Sequence, residues 1–169
     1  SWEPEGEDWA VVEEIAAEVE RLAGDGTIRH VVITGGEPML FAEMLPLCEQ
    51  MKADGLHITI ETAGTLLLPV RCDLMSISPK LASSTPSLER AGKWSARHEQ
   101  TRHQPEVIRR LTSEYDHQLK FVIDTRADLE DVQDWLAEFP EIRRERVLLM
   151  PQGIEPAALA GIGTWLEPY

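Results

Sequence analysis

Short apolar strands alternate with amphipathic helices along most of this chain, and that alternation constrains the fold more than any other feature. Apolar residues recur at helical spacing in the helical segments, whereas the strands are short apolar runs bounded by turn residues. The predicted helices cover 9–22, 41–53, 105–114, 128–138 and a piece from Pro156, and the predicted strands cover 30–34, 57–61, 73–77, 118–123 and 147–150. We therefore predict one α/β domain over residues 1–169 with a mainly parallel sheet.

Two further expectations concern the surroundings of the sheet. The stretch from Leu81 to Gln104 is polar and irregular, so it is predicted to be a long loop. Loops of this length are often lids, and we expect this one to cover a binding site, with Trp94 as its packing anchor. Apolar strands such as 31–33 and 119–123 are typical of sheets that are covered on both faces.

The charge balance and the cysteine count limit the partners and the compartment. The chain has 30 acidic and 16 basic side chains, and its net charge of −14 would repel a polyphosphate, so we expect no nucleic-acid partner. Its two cysteines form no disulfide framework and nothing resembles a secretory signal, so we expect a cytoplasmic location. No apolar run approaches the ~20 residues of a membrane span, so we expect no membrane partner.

Four predicted strands end in segments rich in glycine and polar residues, where ligands of parallel α/β sheets bind. The segments are 34–38, 61–65, 78–80 and 150–153. Taken one at a time, each is also typical of an ordinary turn, cap or surface loop. Together they place glycines, two carboxylates, a hydroxyl, a lysine and an amide at one edge of the sheet. That set of donors and acceptors suits a zwitterionic ligand that carries a ribose.

The chemistry of these segments comes from a few residue types. Gly35 and Gly36 let the backbone approach a ligand closely, and Glu37 offers an acceptor for an ammonium group. Glu61 ends a buried strand and needs partners such as ribose hydroxyls or an amino group, and the Gln152 amide can pair with polar groups. A P-loop is excluded and a dinucleotide-binding fold is not indicated, because neither glycine motif occurs.

Several sequence blocks resemble a known family. Ile33-Thr-Gly-Gly-Glu-Pro38 resembles the radical S-adenosylmethionine (SAM) signature that contacts the methionine amino group. Ser1-Trp-Glu-Pro-Glu-Gly6 resembles the segment that follows the cluster motif of the 7-carboxy-7-deazaguanine synthases. Further blocks resemble that family in the same order: Ile60-Glu-Thr-Ala-Gly-Thr65, Ser76-Ile-Ser-Pro-Lys80, Gln118-Leu-Lys-Phe-Val122 and Leu149-Met-Pro-Gln-Gly153. The resemblance implies a partial (β/α) barrel of radical SAM type.

The resemblance also implies a reaction with its cofactors and partners. Such enzymes cleave SAM reductively at a 4Fe–4S cluster, and the resulting radical takes a hydrogen from 6-carboxy-5,6,7,8-tetrahydropterin. Magnesium-assisted ring contraction with loss of ammonia then yields 7-carboxy-7-deazaguanine, a precursor of queuosine. The implied partners are the pterin substrate, an electron donor such as flavodoxin, and a second copy of the chain in a homodimer.

Site residues follow from the family motifs. By resemblance, Thr34 contacts the pterin substrate. The residues that the resemblance assigns to SAM are Gly36, with Gly35 and Glu37 beside it, and Ser78, Pro79 and Lys80 at the ribose or carboxylate side. From position alone, we add Glu61 to the SAM site and Gln152 to the substrate site. No catalytic residue is assigned.

The cysteines depart from the family pattern. The family holds its cluster with three closely spaced cysteines near the N-terminus, usually followed by a threonine that ligates magnesium. Cys48 lies in a predicted helix and Cys72 precedes a strand, so we expect both to be small buried hydrophobic residues. We therefore expect no metal ligands in this chain, and we interpret it as a fragment, truncated at both ends and inactive alone.

Two alternative functions stay open at this stage. The first is a non-catalytic module without cluster cysteines that binds SAM, a nucleoside or a partner protein. The second is an unrelated α/β hydrolase or ligand-binding domain in which the blocks occur by accident.

Overall fold

Five parallel strands form one sheet in the computed structural model, which describes residues 11–24 and 26–169. Neighbours in the sheet follow chain order, and every pair of neighbouring strands is parallel. The strands are β1 (His30–Ile33), β2 (His57–Thr62), β3 (Leu74–Ile77), β4 (His117–Ile123) and β5 (Val147–Pro151). The predicted α/β class with a parallel sheet is confirmed, and the open sheet matches a partial barrel.

Seven α-helices accompany the sheet in the described part of the chain. They are α1 (Val12–Ala23), α2 (Met44–Ala53), α3 (Leu88–Ala91), α4 (Lys93–Thr101), α5 (Pro105–Glu114), α6 (Arg126–Ala137) and α7 (Pro156–Leu166). The second helix begins three residues later than predicted, because Phe41 is extended after a short 3₁₀ turn over Pro38–Leu40. Across these described residues, no helix is both long and apolar enough to cross a bilayer.

The prediction of a long loop over 81–104 is wrong, because α3 and α4 lie within it. Neither helix has a buried residue, so neither shows the apolar stripe on which sequence periodicity depends. Exposed Trp94 (45%) lies under the guanidinium of Arg97, 5.3 Å from the ring centre, rather than anchoring the segment in a core. Whether the segment acts as a lid stays a prediction.

One face of the sheet carries the hydrophobic core. Alternate residues of the central strands point to this face, and α2, α5 and α6 contribute the buried side chains that pack with them. On β4, for example, the Phe121 ring packs edge-on against Trp135 of α6, with centroids 5.2 Å apart. The buried hydrophobic residues of the strands are Ile58, Ile60, Met75, Ile77, Leu119, Phe121 and Ile123.

Within residues 11–24 and 26–169, the other face of the sheet is open, so the expectation of two covered faces is wrong for the described residues. Val32, Leu148 and Met150 are 57%, 44% and 41% exposed on the two edge strands. Because side chains alternate along a strand, this face also receives Gln118 and Lys120 from the otherwise buried β4. The apolar character of the edge residues suggested burial, but the structure leaves them exposed on the face that also carries Lys120.

Candidate functional site

The register of the parallel strands assembles a row of polar side chains on the open face. Ile33 pairs with Ile60, so Thr34 lies level with Glu61, which itself pairs with Ser76 of β3. Ser76 in turn pairs with Gln118 of β4. Paired residues of neighbouring strands point to the same face, so four strands contribute to this row. We call Thr34, Glu61, Ser76 and Gln118 the polar row.

Hydrogen bonds tie the polar row together. Thr34 Oγ1 donates to Glu61 Oε2 at 3.2 Å, and Gln118 Nε2 donates to Ser76 Oγ at 3.1 Å. Lys120 Nζ donates to Glu61 Oε1 at 2.8 Å, reaching from β4 to β2 across the strand between them. The small, buried side chain of Ser76 leaves room for this crossing. Each Glu61 oxygen keeps a lone pair for a further donor.

The electrostatics of the row depend on two lysines and one carboxylate. The hydrogen bond from Lys120 is the main reason that the pKa of Glu61 is lowered, and Thr34 and Lys80 act in the same direction. Burial, followed by repulsion from Lys120, lowers the pKa of Lys80, while Glu37 and Glu61 oppose that shift. Glu61 is therefore ionised at neutral pH, and two ammonium groups share its negative charge.

The turn after β3 holds Lys80 in place. The N–H of Ser78 donates to the carbonyl of Thr62 at 2.7 Å, and Pro79 is buried. Lys80 Nζ lies 3.4 Å from Ser78 Oγ, and the Lys80 carbonyl accepts a hydrogen bond from Arg102 at 3.3 Å. The turn predicted to bind SAM is therefore restrained at both ends.

Glu37 is bound by the protein itself rather than left free for an ammonium group. Its carboxylate accepts from the Thr62 hydroxyl at 2.8 and 2.9 Å, from the N–H of Ala63 at 2.9 Å, and from the N–H of Met39 at 3.1 Å. These bonds join the segment after β1 to the end of β2. The geometry therefore favours a positioning role for Glu37, and direct contact with SAM stays a prediction.

The two glycines after β1 border open space. Both are exposed, and a Cβ built at Gly35 or Gly36 would meet no atom within 4 Å. Gly35 has φ of +149°, which side-chain-bearing residues rarely adopt, whereas Gly36 has an ordinary φ. The space beside their backbone is large enough for a ligand to approach.

The structure does not bring every predicted residue together. Gln152 is exposed beyond β5, and its N–H donates to the Ile123 carbonyl at 2.8 Å, which fixes it beside β4 rather than against Thr34 or Lys80. Thr34, Glu61, Ser78 and Lys80 converge at the neighbouring ends of β1 to β3. The Ser1–Gly6 block lies outside the described residues.

Lys120 and Gln118 belong to the site, but sequence reasoning did not identify them. The block 118–122 resembles the family, yet neither side chain is among the predicted ligand contacts. A signal was nevertheless present, because Gln118 and Lys120 alternate with Leu119 and Phe121 in an apolar strand. A lysine at such a position needs a carboxylate partner on the same face.

The cysteines do not fit an iron–sulfur cluster. The chain has only Cys48 and Cys72, and burial is the main cause that raises their thiol pKa values, to about 11 and about 12. Thiols in that state are poor thiolate ligands. Across residues 11–24 and 26–169, no group of three or more Cys, His, Asp or Glu side chains is arranged to hold a metal ion.

A concavity lies at the opposite end of the sheet, where β4 begins. It has a volume of about 550 Å³ and is lined by Arg109, Tyr115, His117, Arg143 and Arg146, among others. Arg146 already pairs with Asp116 at 2.6 Å, and Arg109 pairs with Glu106 at 2.8 Å. Because Arg109 and Arg146 already have carboxylate partners and the glycine-rich strand ends lie elsewhere, we take the polar row as the candidate site.

Comparisons with known proteins agree with this fold. A family profile described as the radical SAM superfamily matches residues 2–79. A crystal structure of QueE from Escherichia coli superposes with a TM-score of 0.61 at 25% identity, covering 94% of this chain and 61% of that one. Over residues 2–79 the chain is therefore similar to the radical SAM superfamily.

Curated relatives narrow the relationship within that superfamily. The 7-carboxy-7-deazaguanine synthase of Rhodopirellula baltica is 36% identical over 99% of this chain, and that of Halobacterium salinarum is 40% identical over 94%. This chain is similar to the 7-carboxy-7-deazaguanine synthases, the family that its sequence blocks resemble. It spans 63% and 64% of the lengths of those two relatives.

Proposed function

We propose that this chain forms the SAM-binding and pterin-binding part of a 7-carboxy-7-deazaguanine synthase. The proposed reaction contracts the ring of 6-carboxy-5,6,7,8-tetrahydropterin with loss of ammonia, a step that leads toward queuosine. The observation that carries the proposal is the polar row with Lys120 and Lys80, in which Thr34, Glu61 and Lys80 lie at the carboxyl ends of β1, β2 and β3. Similarity over nearly the whole chain to synthases of that name supports it.

The SAM side of the proposed site lies around Gly36 and the 78–80 turn. The open backbone at Gly35 and Gly36 offers carbonyl and N–H groups to the methionyl end. Lys80, whose ammonium is largely shielded from water, supplies a cation for a carboxylate, and Ser78 supplies a hydroxyl for a ribose. Bound SAM supplies the radical chemistry, and these residues orient it and limit its contact with water.

The pterin side of the proposed site lies around Thr34. Its hydroxyl hydrogen points at Glu61, so the oxygen remains free to accept from a ring N–H. The ionised Glu61 carboxylate can accept a second ligand donor while Lys120 holds it in place. Gln152 can contact the substrate if the substrate extends toward β5, and on that condition we propose it as a substrate contact.

The remaining cofactors and partners belong to the whole protein. This chain's cysteines do not suit a 4Fe–4S cluster, and a magnesium ligand is not identifiable among the described residues, so the roles proposed for this chain involve neither group. An electron donor such as flavodoxin, a homodimer and a cytoplasmic location are proposed from the family relationship. No nucleic-acid or membrane partner is proposed.

The chain's lack of a cysteine triad favours one alternative, a non-catalytic SAM-binding module. The test is anaerobic turnover by the full-length protein that contains this chain, after reconstitution with iron and sulfide. Conversion of the carboxytetrahydropterin to 7-carboxy-7-deazaguanine, followed by mass spectrometry, supports the synthase. Saturable SAM binding without turnover supports the module, and absence of both overturns the proposal. A Lys80→Met variant of the same preparation serves as the matched control.

A further inference from the structure

Arg102, at the end of α4, reaches back to the turn that follows β3. Its Nη1 donates to the carbonyl of Lys80 at 3.3 Å, and its side chain is mostly shielded from solvent. We infer that Arg102 is a positioning residue that aims the Lys80 ammonium into the ligand site. The inference rests on the proposed function, because it takes Lys80 to be a SAM contact.

A hydrogen-bonded network holds the Arg102 guanidinium in one orientation. Its Nε and Nη2 donate to the two oxygens of Glu99 at 2.9 and 2.8 Å, an arrangement that fixes the plane of the guanidinium. Glu99 also accepts from the Thr85 hydroxyl at 2.8 Å, and that hydroxyl lies 3.0 Å from His98 Nδ1. Asp131 of α6 adds a favourable charge interaction with Arg102.

The network links a weakly packed segment to the site. No side chain of α3 or α4 is buried, so hydrophobic packing contributes little to the position of these helices. Arg102 instead connects the end of α4 to the backbone of Lys80. The opposite end of that turn is fixed by the bond from Ser78 to Thr62 at 2.7 Å. Loss of the arginine bond removes the only side-chain hydrogen bond that the described residues make to the Lys80 carbonyl, although the neighbouring Pro79 and Leu81 stay buried.

The position of Lys80 is sensitive to such a loss. Its ammonium lies among Lys120, Glu37 and Glu61, where a small displacement changes both repulsion and attraction. Arg102 touches Lys80 through the main-chain carbonyl only, so it acts on the ligand through the placement of Lys80. A double-mutant cycle between the two residues therefore measures the inference directly.

The test compares Arg102→Gln, Lys80→Met and the double variant in the full-length reconstituted protein. Calorimetric titration gives the SAM affinity, and steady-state assays separate KM for SAM from kcat. Arg102→Gln is expected to weaken SAM binding by roughly tenfold, with kcat at saturating SAM little changed. In the Lys80→Met background the same change is expected to have almost no effect. Arg110→Gln, which breaks an exposed pair with Glu114, is the control and should leave affinity unchanged.

The possible results distinguish failure of the positioning role from failure of the proposed function. If the unaltered protein binds SAM and Arg102→Gln binds it equally well, the positioning role is overturned. An equal loss in both backgrounds also overturns it, since the effect then does not pass through Lys80. If the unaltered protein fails to bind SAM, the proposed function fails instead. Should Arg102→Gln fail to fold, Glu99→Gln tests the same network, and it must weaken SAM binding in the same Lys80-dependent way.

Discussion

The ammonium of Lys120 on β4 lies 2.8 Å from the carboxylate of Glu61 on β2, although β3 separates the two strands. On β3, Ser76 pairs in register with Glu61 and Gln118, and its hydroxyl oxygen accepts a hydrogen bond from Gln118. Two strands that share no backbone hydrogen bond are thereby joined at the edge where ligands of parallel sheets bind. The pair holds an ionised carboxylate facing Thr34 before any ligand arrives, so the site is preorganised.

Replacing Lys120 with Met should raise the pKa of Glu61. The hydrogen bond from Lys120 is the largest cause of its lowered pKa, so loss of that bond should return the pKa toward the usual value of about 4.3. Carbon-detected NMR titration of the glutamate carboxyl groups measures the shift. Lys93→Met, on exposed α4, is the control and should leave Glu61 unchanged. An unaltered Glu61 titration in Lys120→Met would show that the pair does not persist in solution.

Alanine at Gly36 should weaken SAM binding without weakening the fold. Its Cβ would meet no protein atom within 4 Å and Gly36 has an ordinary φ, so we expect stability to change by no more than about 0.5 kcal/mol. The added methyl group would instead occupy the space proposed for the ligand, and SAM affinity should fall by about tenfold or more. Urea unfolding and calorimetric titration of the same sample give both numbers. Unchanged SAM affinity would remove Gly36 from the site.

Replacing Gly64 with alanine should destabilise the fold, in contrast to the same replacement at Gly36. Gly64 has φ of +72°, and a Cβ there would lie 2.5 Å from Ile108 Cδ1 and 2.8 Å from Ile77 Cγ2. Backbone strain and overpacking together should cost about 2–4 kcal/mol of unfolding free energy. Gly161→Ala is the matched control on α7, where the new Cβ meets nothing within 4 Å and stability should stay equal or rise. Equal effects of the two substitutions would contradict the packing described here.

The ion pair between Lys52 and Asp73 should make stability depend on pH. Asp73 accepts from Lys52 Nζ at 2.7 and 2.8 Å and from the N–H of Ile58 at 2.7 Å, and these bonds lower its pKa, the Lys52 bond most. A lowered folded-state pKa means that the stabilisation is present at neutral pH. It is lost as the pH falls below about 4 toward the folded-state pKa.

Asp73→Asn tests this dependence. We expect it to lower the unfolding free energy by about 1–3 kcal/mol at pH 7, because Lys52 and the Ile58 N–H lose a charged acceptor. The difference from the unaltered protein should shrink by pH 3, as followed by urea unfolding at both values. Asp134→Asn, at an exposed position of α6, is the control. A difference that stays constant with pH would mean that the pair contributes no linked stability.

The sequence predicted the elements whose pattern is set by burial. The helix Pro105–Glu114 has the predicted bounds, because a proline marks its start and apolar residues line its core-facing side. Strand β4 differs from its predicted bounds by only one residue, because apolar residues also line its core-facing side. Helix α4 was missed because its stability depends on charged pairs and its side chains stay exposed, which leaves no apolar period to detect.

The candidate site was predicted only in part, for a physical reason. Position after a strand is readable from sequence, and Thr34, Glu61 and Lys80 were identified that way. Strand order and register are not readable in the same manner, so the reach of Lys120 across β3 to Glu61 was missed. Strand order also explains why Gln152 lies apart from the other predicted site residues. It follows a strand as predicted, but that strand is β5, at the edge of the sheet. The open face was missed because apolar edge residues such as Val32 look the same whether a helix or a ligand covers them.

The most direct test of the central claim is the position of SAM in a crystal structure of the full-length protein grown with saturating SAM. We expect the methionyl group against Gly36 and the ribose or carboxylate within hydrogen-bond distance of Ser78 or Lys80. SAM seated instead in the arginine-lined concavity near Arg143 and Arg146, or anywhere away from the polar row, would contradict the proposed site.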